Sequence, residues 1–422
     1  MFALIDGNCF YASCERVYQP NLRNLPVIVL SNNDGCVVTR SAEAKAVGIK
    51  MGEPYFKIQD IVRHNNVQVF SSNYELYGDM SRRMMNSIAT LVPTTEVYSI
   101  DECFADVGGM QRLVDLNELG HQIRNRVLQW VGIPTCVGIA PTKTLAKFCN
   151  HLAKRHRYFK GVANWSAWDA DMQARALNSE PVTEVWGIGR RIGQSLNEVG
   201  IETVGDFTRA STAMLRQKFG VVVERTQREL QGVSCLEMEA VKPKRQQIIR
   251  SRSFGQPVCD LTGLRSAISH HVADAGRELR EEGGVAHTLQ VFIQTNRFKL
   301  ELPQHYGSEC VQLTSGTCDT LKINQMAQKA LERIYKAGFE YKKCGVILSG
   351  IESANQQQQL DWLNPGDSEQ RLRLMSCVDG LNARFGRDVL QLGTERMNTD
   401  WRMRRDKLSP RVTTRINELI QV

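Results

Sequence analysis

The sequence predicts a multidomain α/β fold, and three observations carry that expectation. Short apolar runs such as Phe2-Ala3-Leu4-Ile5 read as buried strands, helically spaced apolar residues separate them, and a late segment runs strand, helix, two strands, helix, strand. With 422 residues and 42% hydrophobic content, the chain can bury several cores. The first strand ends in Asp6-Gly7-Asn8. Residues 9 to 74 then mix short strands (Val27 to Leu30, Cys36 to Thr39, Val67 to Ser71) with a helical stretch around Ala42 to Val47, which makes a small α/β insertion. From Tyr77 the apolar residues Met80, Met84, Ile88 and Leu91 keep helical spacing until Pro93, and the two methionines read as core filler. Leu116, Leu119, Ile123, Val127 and Trp130 mark a further helix, and Thr135 to Ala140 a further strand. That order predicts a sheet covered by helices on one face.

The run Tyr98-Ser99-Ile100-Asp101-Glu102-Cys103-Phe104-Ala105-Asp106 sets two adjacent carboxylates between two strand-like runs, and so reads as a hairpin. With Asp6, two buried strands deliver three carboxylates. Such groups repel and take up protons unless a hard divalent cation such as Mg²⁺ neutralises them. Phosphoryl transfer would use that arrangement, whereas an Asp-Glu pair at a turn by itself equally fits turn chemistry. Thr142 is placed to cap a helix carrying Lys143, Lys147 and Lys154, of which the first two share a face. A solvated basic face and a triphosphate-binding face both fit it.

Residues 166 to 240 read as all-helical. Within them, Val185-Trp186-Gly187-Ile188-Gly189 precedes a helix from Arg190 to Val199, where Gly187 and Gly189 allow a tight turn and close approach of backbone N–H groups to a phosphate. This is the pattern of a helix-hairpin-helix that grips a DNA backbone, and also of a plain glycine-capped connection. Lys242-Pro243-Lys244-Arg245 forms a basic linker. Beyond it lie a strand from Ile248 to Phe254 with Arg250 and Arg252 on one face, a helix from Leu261 to Glu282, strands near His287 to Thr295 and Cys310 to Thr314, a helix from Asp319 to Ala337 and a strand to Ser349. This βαββαβ order leaves one sheet face free for a partner. The last stretch contains polar Gln356 to Gln359, then Trp362, Trp401 and the basic run Arg402, Arg404, Arg405 and Lys407, which suggest a linker and interaction segments.

A formal net charge of +8 suits a phosphate-bearing partner, although 23% charged residues is ordinary. Twelve cysteines without a Cys-x-x-Cys pair or a Cys/His cluster indicate neither a zinc site nor a disulfide framework, and fit a reducing cytoplasm. The opening apolar run is cut at Asp6, too short for a signal peptide, and no later run reaches membrane-spanning length, so a soluble cytoplasmic protein is expected.

Taken in order, these features resemble the Y-family translesion DNA polymerases of the UmuC type, the catalytic subunits of bacterial DNA polymerase V. The resemblance covers essentially the whole chain. It is carried by Asp6-Gly7-Asn8-Cys9-Phe10-Tyr11-Ala12, Ser31-Asn32-Asn33-Asp34-Gly35-Cys36, Ser71-Ser72-Asn73-Tyr74-Glu75-Leu76-Tyr77, Tyr98 to Glu102, Thr142-Lys143-Thr144-Leu145-Ala146-Lys147, Trp186-Gly187-Ile188-Gly189-Arg190-Arg191 and Leu408-Ser409-Pro410-Arg411. It implies a right-hand polymerase: palm (1 to 10 and 75 to 165), small fingers (11 to 74), helical thumb with the helix-hairpin-helix (166 to 240), βαββαβ little finger (244 to 351) and a C-terminal partner-binding region (352 to 422).

The same resemblance assigns Asp6, Asp101, Glu102 and the Gly7 carbonyl to two Mg²⁺ ions, with Asp101 and Glu102 catalytic. It makes Tyr11 the steric gate under the deoxyribose, and puts Phe10, Thr39, Lys45 and Lys147 at the dNTP. DNA contacts fall to Gly187, Gly189, Arg190, Arg250 and Arg252. Many relatives carry Tyr and Arg at the positions of Ala42 and Lys45, and lysine offers a point charge in place of a bidentate fork. Gln359-Leu360-Asp361-Trp362-Leu363 corresponds to the pentapeptide that binds the sliding clamp (β), with its aromatic and aliphatic anchors exchanged. Error-prone synthesis past damage in the SOS response is the implied activity, with primer-template DNA, a cleaved UmuD dimer and RecA as partners. A nucleotidyl cyclase-like palm enzyme and a non-catalytic DNA-binding scaffold are the alternatives.

Overall fold

The computed structural model describes residues 1–239, 245–354, 367–386, 389–396, 401 and 403–419. They form two compact units, one of residues 1–31, 35–242 and 407–422, the other of 32–34 and 243–406. The chain's last segment therefore returns to the unit in which it began.

Strand β1 (Phe2–Gly7) is buried along its whole length, and a turn at Asn8 and Cys9 feeds it into helix α1 (Phe10–Tyr18). Strands β2 (Val27–Leu30), β3 (Val37–Arg40) and β4 (Gln68–Ser71) make a separate three-stranded sheet with the short helices α2 (Ala42–Ala46) and α3 (Gln59–His64). Ile28, Leu30, Val37, Ala44, Ile49, Ile58 and Val67 fill its small core. Helix α4 (Tyr74–Ala89) starts at Asn73, whose side chain accepts from the Leu76 N–H. Then come β5 (Thr94–Val97), β6 (Glu102–Asp106), helix α5 (Leu116–Val131), β7 (Thr135–Ala140), helix α6 (Lys143–Arg155) and β8 (Val162–Asn164).

The main sheet has the order β5-β6-β1-β7-β8. It is covered on both faces, which corrects the one-face expectation. Ala3, Ile5, Cys103 and Val137 pack with α4 and α5, including buried Met80 and Met84, while Phe2, Leu4, Phe104 and Cys136 pack with α6. Alternate residues of a strand point to opposite faces, so an unbroken apolar run needs a cover on each. Helix α6 sits very close to β7: a Cβ added at Gly138 would lie 2.1 Å from the Ala146 carbonyl oxygen and 2.2 Å from the Asn150 nitrogen. Asn150 then ties the layers by donating to the carbonyls of Leu4 (3.1 Å) and Cys136 (2.8 Å).

The following segment is helical: α7 (Ala170–Ser179), α8 (Arg190–Asn197), α9 (Val204–Arg209), α10 (Thr212–Phe219) and α11 (Val221–Leu230). In the second unit, β9 (Gln247–Val258), α12 (Leu261–Glu281), β10 (Gly284–Thr295), β11 (Tyr306–Thr317), α13 (Thr320–Ile334) and β12 (Tyr341–Ser353) realise the βαββαβ order as a sheet β11-β10-β12-β9. Both helices pack on one face, against Leu289, Val291, Ile293, Val346 and Leu348. Trp401, expected as an interaction residue, is buried in this core at 3% exposure. Its indole N–H donates to Ser266 Oγ at 3.2 Å, the partner a buried tryptophan requires. All twelve cysteines are free. Among the described residues no helix is long and apolar enough to cross a membrane.

Candidate active site

Antiparallel pairing of β1 with β6 sets Asp6 directly opposite Glu102. Burial pushes the Asp6 carboxyl up to about 7, and the Glu102 carboxylate adds to the rise while Lys154 opposes it. Lys154 Nζ lies 2.5 Å from Asp6 Oδ2, and Lys147 Nζ donates to both Glu102 carboxylate oxygens at 2.8 Å. Two lysines of α6, two turns apart, thus cover the two facing carboxylates.

Asp101 is turned aside. Its Oδ1 accepts from Ser99 Oγ at 2.6 Å, and Ser99 Oγ accepts from the Asp101 and Glu102 backbone N–H groups at 3.2 and 3.0 Å. The Asp101 carbonyl accepts from Gly7 N–H at 2.9 Å, which locks the hairpin to the end of β1. Among the described residues no three Asp, Glu, His or Cys side chains converge as a metal cluster. The fold brings Asp6 and Glu102 together and keeps Asp101 beside them, folded onto Ser99. Oxygen-only donors, with one carboxyl driven toward neutrality by its neighbour and by burial, suit a hard divalent cation.

The turn after β1 sorts the next two aromatic residues. Cys9 takes a left-handed conformation at φ 47°, Asn8 N–H donates to the Pro134 carbonyl at 2.8 Å, and Ser13 Oγ donates to the Asn8 carbonyl at 2.7 Å. Gly7 is required here, because a Cβ would stand 2.9 Å from Phe10 Cδ2. Phe10 itself is core, 3% exposed, so its ring does not line the site as expected. Tyr11 emerges half-buried, its ring stacked on Tyr77 at 4.4 Å and 14° and edge-on to Tyr74 at 6.2 Å. Burial pushes its phenol up to about 12, with the Tyr74 hydroxyl and the Asp101 carboxylate adding to the rise. The field of Asp101 therefore reaches Tyr11.

Lys143 and Lys147 have different fates. Lys143 is 4% exposed, with Nζ 2.6 Å from Glu96 Oε2, 2.7 Å from the Glu237 carbonyl and 5.1 Å from the Phe104 ring centroid. It is a structural cation. Lys147 points to the carboxylates and lies over the rings of Tyr98 (4.9 Å) and Trp186 (5.4 Å). Trp186 anchors the following glycine turn on Tyr98 and Phe104, beside the hairpin. Gly187 adopts φ 89°, Gly189 begins α8 without a side-chain cap, and both are exposed with Arg190. Thr39 is half-buried on β3 opposite Val29, and Lys45 is exposed on α2.

Lys154, which the sequence places on this helix without a role, joins the site; its spacing two turns beyond Lys147 is the signal for it. Arg250 and Arg252 do share a face, but it is the helix-covered one. They pair across the sheet with Val346 and Cys344, both core residues, and Arg250 Nη2 is 2.5 Å from Glu278 on α12. Gln359 to Leu363 lie outside the described residues.

The impB/mucB/samB family model matches residues 5–151, and the model of that family's C-terminal domain matches 245–361. Protein UmuC of Salmonella typhimurium is 44% identical over 423 residues, covering 100% of both chains. The chain belongs to the UmuC branch of the Y-family DNA polymerases. Protein MucB of Escherichia coli is 42% identical, covering 98% of this chain and 97% of its own. DNA polymerase IV of Oceanobacillus iheyensis is 26% identical, covering 92% and 90%. A solved Y-family polymerase, a Dbh–Dpo4 chimera, superposes with a TM-score of 0.66 at 23% identity, covering 84% of this chain and all of that one, which shows the fold. A domain of unknown function matches residues 372–422. Membership in the UmuC branch makes this chain an error-prone, translesion DNA-directed DNA polymerase of SOS mutagenesis, in a family that uses divalent metal ions. The cyclase and scaffold alternatives fall with it.

Proposed function

We propose that primer-template DNA and a dNTP meet at the mouth formed by Asp6, Asp101, Glu102, Lys147 and Tyr11, where the primer 3′ oxygen attacks the α-phosphorus and pyrophosphate leaves. The observation that carries this reading is the confrontation of Asp6 with Glu102 beneath two lysines. Two Mg²⁺ ions held by Asp6, Asp101, Glu102 and the Gly7 carbonyl would stabilise charge on the attacking and leaving oxygens. Lys147, whose Nζ lies 2.8 Å from both Glu102 carboxylate oxygens, offsets charge on the triphosphate, and Thr39 and Lys45 add contacts from the insertion. Tyr11 lies beneath the deoxyribose and leaves no room for a 2′ hydroxyl. Its stacking on Tyr77 and its exposure to the Asp101 field support that role.

Backbone N–H groups at Gly187, Gly189 and Arg190 take a DNA phosphate at the start of α8. In the second unit we assign DNA contact to the uncovered sheet face, which carries Gln290, Gln294 and Lys343, and away from the Arg250–Glu278 pair. A cleaved UmuD dimer and RecA are the proposed activators, and Gln359 to Leu363 the proposed contact with the sliding clamp. Primer extension on intact and damaged templates, with and without Mg²⁺ and with the partners added singly and together, tests the reading. Mg²⁺-dependent insertion is expected; none under any combination overturns it.

A further inference from the structure

The segment Lys407–Val412 has almost no regular structure, yet it is fastened to the first unit by buried polar groups. Lys407 pairs with Ser71 twice: the Ser71 N–H donates to the Lys407 carbonyl at 2.9 Å, and the Lys407 N–H donates to Ser71 Oγ at 3.0 Å. Val412 sits in the core under β1 and α4, 9% exposed. Between these anchors, Asn73 Nδ2 donates to the Ser409 carbonyl (3.1 Å) and to Ser409 Oγ (3.0 Å). Ser409 Oγ in turn donates to Glu15 Oε1 at 3.0 Å, and Tyr77 Oη donates to the same oxygen at 2.6 Å.

The chain of donors thus runs from Asn73 through Ser409 to Glu15, where it meets Tyr77. All four residues are buried, with exposures of 1%, 6%, 1% and 0%. A satisfied buried network of this kind fixes the positions of its members, because each loose end would strand a polar atom away from water. Tyr77 has no freedom left, and Tyr11 lies flat on its ring at 4.4 Å. Asn73 also caps α4, the helix that presents Tyr74 and Tyr77 to Tyr11.

We propose that the docked C-terminal segment positions the sugar gate: Ser409, acting through Glu15 and Tyr77, holds the ring of Tyr11 at the height that separates deoxyribonucleotides from ribonucleotides. This assigns a role within the domain of unknown function, and it rests on the reading of Tyr11 as the gate. Ser409 is a positioning residue that touches neither nucleotide nor carboxylate cluster. A slack network lets the Tyr11 ring yield to a 2′ hydroxyl, so ribonucleotide insertion rises while deoxyribonucleotide insertion barely moves.

The test is single-nucleotide insertion by the full chain, kcat/KM with dNTP and rNTP, for wild type, Tyr11→Ala, Ser409→Ala, Tyr77→Phe and Ser409→Ala/Tyr77→Phe, with a thermal melt of each. Ser409→Ala is expected to lower the preference for dNTP by about threefold to tenfold, through rNTP alone. Tyr77→Phe, which cuts the same link from the opposite side, should do likewise, and the double variant should add little to either. If Tyr11→Ala leaves the sugar preference unchanged, the gate reading itself fails. If Tyr11→Ala collapses the preference while Ser409→Ala and Tyr77→Phe leave it at the wild-type value, the positioning role alone is overturned. Additive effects of the two single variants, or equal losses with both sugars, also overturn it; should Ser409→Ala not fold, Tyr77→Phe alone decides.

Discussion

Lys154 holds Asp6 by an ion pair of 2.5 Å, on the strand residue that faces Glu102. A lysine there offsets the repulsion between two carboxylates brought together by strand register, and it stands on a helix pressed so tightly to the sheet that only glycine fits at position 138. The charge arrangement is thus built into the packing of α6 on β1 and β7.

Replacing Asp6 by Asn keeps the shape and removes the charge. Nucleotide incorporation is expected to fall by roughly a thousandfold or more, since metal-assisted stabilisation is worth several kcal/mol. DNA affinity, measured by fluorescence anisotropy, should change little. Near-normal extension by the variant would remove Asp6 from the reaction.

Tyr11→Ala should lower the preference for deoxynucleotides by about a hundredfold, because a side chain that rejects by overlap loses that power when shortened. Insertion kinetics with the two sugars read this out. Equal losses with both would mark Tyr11 as a packing residue.

The two lysines at the start of α6 should separate cleanly. Lys143→Ala leaves half-buried Glu96 without its cation and should cost about 1.5–3 kcal/mol of stability. Lys147→Ala should leave the chemical denaturation midpoint near that of wild type and raise the dNTP KM. Reversed outcomes in these two assays would exchange the roles assigned to them.

Burial raises the Glu15 carboxyl to about 7 from an ordinary 4.5, against the hydrogen bonds of Tyr77 and Ser409. Between those values the folded chain binds more protons than the unfolded one. The contribution of Glu15 to stability is therefore complete below 4.5 and is lost as pH rises through 7. Glu15→Gln has no such titration. The stability of the variant relative to wild type should climb by about 3 kcal/mol from pH 4 to pH 8. Parallel pH–stability curves would show that Glu15 titrates normally.

Much of this was legible in the sequence because it is periodic or local. The buried run of β1, the Asp101-Glu102 hairpin, the Thr142 cap of α6 and the βαββαβ order follow from spacing and turn chemistry. What alternation does not tell is which face of a sheet is covered, so it sets Arg250 and Arg252 on one face without saying that the helices cover it. Glu278 and the core residues Val346 and Cys344, all on other elements, reveal the covered face. Phe10 and Tyr11 are adjacent aromatics whose division into core and site depends on the left-handed turn at Cys9. Lys154 carries no role legible in the sequence because its partner Asp6 is 148 positions away. The Leu408 to Arg411 segment has no periodicity at all; its order comes from side chains more than 300 positions upstream.

That last connection has a consequence for biosynthesis. Chains fold from the N-terminus as they leave the ribosome, and most of the first unit emerges long before Ser409 does. Glu15 and Asn73 must wait for the final segment before their buried hydrogen bonds can close. A chain truncated by premature termination or clipped near its end would carry every carboxylate and lysine of the site without the segment that completes Glu15's partners. Ser409 thus completes a network whose other members, Glu15, Asn73 and Tyr77, lie more than 330 positions before it.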